Sequence, residues 1–284
     1  MPSLIDIRRR IRSVKNTQQI TKAMKMVSAA KLRRAQDRVI AARPYVMAMR
    51  QVLANVAAAA ASDEGAGENP LMARRDERRV LLVLVTADKG LAGAFNSNLI
   101  RAAQRFVAEH RDSEVSLQLV GRKGRDFFRK RGARIAGDSL NFARPAVSDA
   151  SPIAAKAMES YRNNEIDAVY LLYNEFKSVV AQKVVLRRVL PVEIPEDVQP
   201  VDYIFEQPPG EMLDALLPRY VEMEFFRSLL ETTAAEHAAR MTAMDAATSN
   251  AGEMIDKLTL YMNRVRQASI TKEIIEVVSG AAAE

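Results

Sequence analysis

The stretch LLETTAAEHAARMTAMDAATSNAGEMIDKLTLYMNRV, residues 229–265, decides the architecture. It sets Leu230, Ala234, His237, Met241, Met244, Thr248, Ala251, Ile255, Leu258, Met262 and Val265 at alternating steps of four and three. That alternation keeps one stripe of a helix facing a partner helix over many turns. Leu213, Leu216, Tyr220 and Met223 carry the stripe further toward the N-terminus, with Arg227 as its one break. Some 60 residues of helix, at about 1.5 Å each, make a rod of roughly 90 Å, which no compact domain of this size can bury.

The other end of the chain carries the same rhythm in Leu4, Ile7, Ile11 and Val14, and again in Leu32, Ala35, Val39, Ala42, Val46, Met49, Leu53 and Val56. The simplest partner for each terminal helix is the other one, in an antiparallel coiled coil. Ser3 with Asp6 three residues on fits a capping box at the first helix. Pro44 removes a backbone hydrogen bond, so a bend near residues 40–44 is expected. Between the two apolar blocks the stripe positions are polar, namely Gln18, Thr21, Lys25 and Ser28, while Ile20, Met24 and Val27 sit beside them. The seam is therefore expected to change face over 18–28, as a local loosening or as a second contact surface turned away from the partner helix.

The middle of the chain reads differently. Strand-like runs at Val80–Val85, Val115–Val120, Ala133–Ala136, Asp167–Tyr173 and Val179–Leu190 alternate with helical segments near 96–110, 122–131 and 151–163. This is the pattern of an α/β domain with a Rossmann-like parallel or mixed sheet and crossover helices. The short Asn174–Ser178 link predicts that the last two strands are antiparallel, at one edge. The expected organisation is an N-terminal coiled-coil helix over 1–61, a linker over 62–78, the α/β domain over 79–207 and a C-terminal coiled-coil helix over 208–284.

Composition narrows the chemistry. The 284 residues contain no cysteine and two histidines, His110 and His237, so thiolate and histidine-rich metal sites are excluded. His237 falls on the seam and is expected as a core side chain; His110 ends a surface helix and is expected to face solvent. No apolar run reaches the length of a transmembrane helix. The N-terminus lacks the apolar core of a secretory signal, and its Arg8-Arg9-Arg10 cluster is better read as a helix start. Residues 1–50 hold 13 Lys/Arg against two acids, Asp6 and Asp37, a balance of +11 in a chain of net +7, which leaves −4 for the rest. A basic helix of this kind calls for an acidic partner: a protein surface, an anionic lipid or a nucleic acid.

Candidate chemistry is sparse. Thr86 to Asn96 forms a Gly-rich strand-to-helix turn, but it matches neither the dinucleotide fingerprint nor a phosphate-binding P-loop. It reads as a tight packing turn or as a contact loop tipped by Asp88 and Lys89. Gly121-Arg122-Lys123-Gly124-Arg125 reads as a solvated basic connection. The acids form no pair suited to general acid–base work. At the C-terminus, Ile274, Ile275, Val277 and Val278 surround the helix instead of striping it, which predicts burial in another protein.

The segments NTQQITKAMKMVSAAK (16–31), DKGL (88–91), MDAATSNA (244–251) and Arg266 to Ala283 together resemble the gamma subunit family of the rotary ATP synthase, over the whole chain and in its bacterial form. The resemblance implies a non-catalytic central shaft without a cofactor. It would stand inside three alpha and three beta subunits, with its α/β foot beside the epsilon subunit and on the membrane ring of c subunits, peripheral to the cytoplasmic face of the inner membrane. It further implies that Met24 and its neighbours Lys22, Lys25 and Lys31 face an acidic loop of beta, that Arg266 and Gln267 meet a second loop of beta, that Ile274, Ile275, Val277 and Val278 form the tip in an apolar sleeve, and that Tyr203, Phe205 and Glu206 touch the c ring. Ala92 stands where many members have Cys. Two other readings compete: a basic coiled-coil nucleic-acid-binding protein using residues 1–50, and an α/β nucleotide enzyme using the Gly90–Gly93 turn.

Overall fold

The computed structural model describes residues 3–61, 69–194 and 205–281. Helix α1 runs over Leu4–Ala61 and continues through Pro44. Its start is the capping box expected from sequence: the Ser3 hydroxyl accepts from the Asp6 N–H at 3.2 Å, and the Ser3 N–H donates to the Asp6 carboxylate at 3.3 Å. The Ser3 hydroxyl also donates to that carboxylate, and these bonds hold Asp6 below its ordinary pKa. Seven elements follow: β1 Arg79–Val85, α2 Phe95–Glu109, β2 Glu114–Val120, α3 Arg122–Arg129, β3 Ile135–Ser139, α4 Val147–Arg162 and β4 Ala168–Phe176. The chain ends with β5 Gln182–Leu190 and α5 Pro209–Ala281, a single helix of 73 residues that passes through Pro218. The chain divides into two compact units, residues 1–28 with 240–284, and residues 29–239.

The first unit is the helical pair. Gln18 donates to the Thr248 carbonyl at 3.4 Å, the Thr21 and Thr248 hydroxyls bond at 2.8 Å, and Lys25 pairs with Asp245 at 2.5 Å. Rising positions on α1 meet falling positions on α5, so the pair is antiparallel. Ile7, Met244 and Ala251 are buried on the seam, with Leu4, Ile11, Val14, Ile255 and Leu258 half-buried. The expected change of face over 18–28 does not occur. The seam keeps its phase and becomes polar: Thr21 and Ser28 are buried. Their hydroxyls can bond locally, as Thr21 does to the Gln18 carbonyl, so the stripe tolerates them. Ile20, Met26 and Val27 are turned outward, more than half exposed.

The second unit holds a five-stranded sheet in the order β3-β2-β1-β4-β5. The first four strands are parallel, with Val80 opposite both Val115 and Ala168, and β5 runs antiparallel to β4, with Tyr173 opposite Val185. Val80 to Val85 of β1 are buried throughout, as expected for a central strand covered on both faces. Strand β4 runs on to Phe176, so the tight connection to β5 is 177–181, later than the sequence indicated. The third strand likewise begins at Ile135. On one face of the sheet, Leu81, Val83, Val169, Leu171 and Tyr173 form a core with Ala150, Ala154 and Tyr161 of α4, Leu53, Val56 and Ala57 of α1, and Leu213, Leu217, Val221, Phe225 and Leu229 of α5. Half of the expected linker is tied into this core. Leu71 is fully buried, its carbonyl accepts from the Val192 N–H at 2.8 Å, and the Asn69 side chain accepts from its N–H. Residues 62–68 lie outside the described residues.

Candidate functional site

The Gly-rich turn after β1 holds its own anion. One carboxylate oxygen of Asp88 accepts from the Arg122 N–H at 2.9 Å at the start of α3, and the other accepts from the Asn141 N–H at 3.0 Å. A helix N-terminus attracts negative charge, and here a side chain of the chain itself supplies it where a phosphate would stand in a nucleotide-binding fold. Asn96 closes the turn by accepting from the Ala87 N–H at 3.0 Å. Leu91 adopts a positive φ of 60° and is exposed. The geometry is that of a braced turn. Asp88 is half-buried and engaged, and Lys89 is the exposed tip. His110 also departs from the expected solvent-facing position: its ring stacks on Phe106 at 4.0 Å and bonds the Phe106 carbonyl. His237 is buried, as a seam position requires. No group of metal-ligating side chains occurs among the described residues.

What the chain offers instead is contact surface. On the helical pair, Lys22 is exposed, whereas Met24 and Lys25 are half-buried and Lys25 is bound to Asp245. The outward apolar residues there are Ile20, Met26 and Val27. Arg266 and Gln267 are exposed on α5. Beyond them Ile274, Ile275, Val277 and Val278 are 58%, 58%, 72% and 62% exposed. Four large apolar side chains within five residues, all open to water, form a patch that calls for a protein partner.

In the second unit Lys31 is exposed on α1 and lines a cleft together with Arg34 and Arg38. Of the three residues expected at the foot, Tyr203 lies outside the described residues. Phe205 is half-buried against the domain core beside Val52, Val56 and Met212, and Glu206 is exposed. The first role of Phe205 is therefore to seat the chain against α1.

Sequence reasoning missed how α5 is fixed to the sheet. Glu224, almost fully buried, takes Arg187 of β5 at 3.0 Å and lies 3.5 Å from Arg227. Two turns on, Glu231 accepts from the Phe176 N–H at the end of β4, at 2.9 Å. Burial raises the Glu231 pKa, with the Phe176 bond and Arg227 acting against it. The signal was present as polar residues seven apart inside an apolar helix, one face away from the three-four stripe. No helix among the described residues is long and apolar enough to cross a membrane.

The family model described as ATP synthase matches residues 3–283. A relative from Solibacter usitatus called ATP synthase gamma chain is 73% identical over 284 residues, covering 100% of this chain and 99% of its own. Another of the same name, from Pelotomaculum thermopropionicum, is 50% identical over 287 residues, covering 100% of this chain and 99% of its own. Among solved structures, the central stalk and c ring of Tetrahymena thermophila mitochondrial ATP synthase contain a chain 26% identical, with a TM-score of 0.62, covering 80% of this chain and 99% of that one. The rotor of the Euglena gracilis mitochondrial enzyme shares the fold, with a TM-score of 0.67 at 19% identity, covering 94% of this chain and 98% of that one.

Proposed function

The chain belongs to the ATP synthase gamma family, and from that premise we propose that it is the central rotor shaft, coupling rotation of a membrane c ring to ATP synthesis or hydrolysis in a ring of three alpha and three beta subunits. The shaft works by shape and charge and breaks no bond itself. It sits peripherally at the cytoplasmic face of the membrane through its complex, beside the epsilon subunit. Lys22, Met24, Lys25 and Lys31 face an acidic loop of beta, Arg266 and Gln267 meet a second loop, and Glu206 with Tyr203 reaches the c ring.

The observation that carries this reading is the naked apolar end of α5. A helix whose last turns expose Ile274, Ile275, Val277 and Val278 needs a surrounding sleeve of other chains. A polar, well-solvated tip would have argued for a free rod. The relatives and structures named above are all parts of ATP synthases, and the nucleic-acid reading is set aside.

Co-expression with alpha and beta subunits tests the proposal. We expect a complex of one to three to three, with ATP hydrolysis that depends on this chain. Reversing the charges of Lys22, Lys25 and Lys31 together with Met24→Lys should leave the complex assembled but lower the protons moved per ATP. Unchanged coupling would remove these residues from the mechanism, and failure to associate with either subunit would overturn the shaft itself.

A further inference from the structure

In the unit formed by residues 29–239, the parallel strands β1 to β4 all end at one edge of the sheet. Ligands of open α/β sheets bind beyond that edge. At the end of β4, around Glu175 and Phe176, this edge meets both α1 and α5. Between the helices and the loop that follows β3 lies a cleft of about 510 Å³, within the size range of small-molecule sites.

Its floor is lined by Ala35, Pro145, Leu230 and His237, all buried. Its rim carries Lys31, Arg34 and Arg38 from α1 and Arg144 from the loop after β3. No carboxylate lines it, and none of these four cations makes an ion pair among the described residues. Elsewhere in the same unit arginines do find acids: Arg79 takes Asp167, Arg187 takes Glu224 and Arg188 takes Glu77. Four uncompensated charges around one concave space repel one another, and the arrangement is relieved by a multiply charged anion. Guanidinium forks match phosphate oxygens in pairs, which a lone lysine cluster would not do.

We propose that this cleft binds an oligophosphate anion, either free or as the tail of a nucleotide. The ligand bridges Arg34 and Arg38 of α1 to Arg144, so that its occupancy fastens α1 to the loop between β3 and α4. The assignment goes beyond the rotor reading and does not depend on it. The braced turn at Asp88 is a separate place and already holds its anion.

Isothermal titration of the full chain with inorganic pyrophosphate, and separately with ADP, at physiological salt gives the test. We expect saturable one-to-one binding of at least one of them, weakened at least tenfold by Arg144→Gln and by Arg38→Gln in variants whose helical circular dichroism is unchanged. Arg8→Gln and Arg9→Gln, on the exposed start of α1, should leave it within twofold. Equal strength for pyrophosphate and ADP identifies the free oligophosphate as sufficient, and binding of ADP alone identifies a nucleotide. The proposal is overturned if neither binds, if all arginine variants weaken binding alike, or if a hexaglutamate peptide binds as tightly, since charge without phosphate geometry would then account for the effect.

Discussion

Burial works against the charged form of Glu231. Burial raises its folded-state pKa above the unfolded value, so its contribution to stability is fully present below the ordinary pKa of 4.5 and is lost as pH rises through the raised value. Glu231→Gln keeps an acceptor for the Phe176 N–H and removes the charge. Thermal denaturation should show the variant more stable than the parent at pH 7, with the gap closing below the ordinary carboxylate range. Gly121 has the opposite tolerance. Its φ is +91°, and an added Cβ would lie 2.1 Å from the Thr86 carbonyl oxygen. Gly121→Ala should cost about 3 kcal/mol in urea denaturation, because strand β1 and the start of α3 would have to part. Sequence alone marked both glycine-bearing turns. It did not reveal that Asp88 braces one of them, because Asn141, which Asp88 holds, is 53 positions away and the contact exists only once the sheet has formed.

Along α5 the sequence showed one stripe, and the helix has two. The stripe of three and four is the seam in the helical pair, where Met244 and Ala251 are buried. In the sheet-bearing unit Leu217, Val221, Phe225 and Leu229, four apart and one step round from Leu216 and Tyr220, are buried, and the expected Leu213, Leu230 and Ala234 are buried with them. A helix packed against both a neighbouring helix and a sheet buries a wider arc than one seam. Periodicity identifies the helix but cannot apportion the arc between partners that are distant in sequence. Phe225→Ala should therefore cost about 3–5 kcal/mol, whereas Leu216→Ala, half-buried, should cost visibly less in the same denaturation series. Glu224→Ala should cost about 3 kcal/mol by stranding Arg187 without its carboxylate. The polar step at Thr21 and Thr248 has its own effect. A shift of the pair by a heptad would part the two hydroxyls and set Thr21 against Met241 or Ile255, so the bond favours the observed register at some expense in stability. Replacing both by Val should raise thermal stability and loosen that register, which disulfide trapping with cysteines placed along the two helices would detect.

For the whole molecule, stability and function are expected to separate. Most of the buried apolar surface lies in the unit of residues 29–239, and the end of α5 contributes little to it. Val277→Asp together with Val278→Asp should change the unfolding free energy of the isolated chain by less than about 0.5 kcal/mol. On the rotor reading the same pair should sharply reduce ATP-driven proton movement in the assembled complex, because a charged tip would have to turn in a sleeve proposed to be apolar. Here the sequence was easily read: an apolar tail without a stripe already pointed outward from the chain. The foot was harder to read, since Phe205 has the character of a contact residue yet is spent against Val52 and Val56.

The open tip also bears on how the cell supplies this chain. A surplus copy carries an adhesive end with nothing to cover it, and such ends invite aggregation and proteolysis. Synthesis must then be matched, one copy to each ring, and an imbalance in translation should surface as degraded shaft before it is felt as lost ATP.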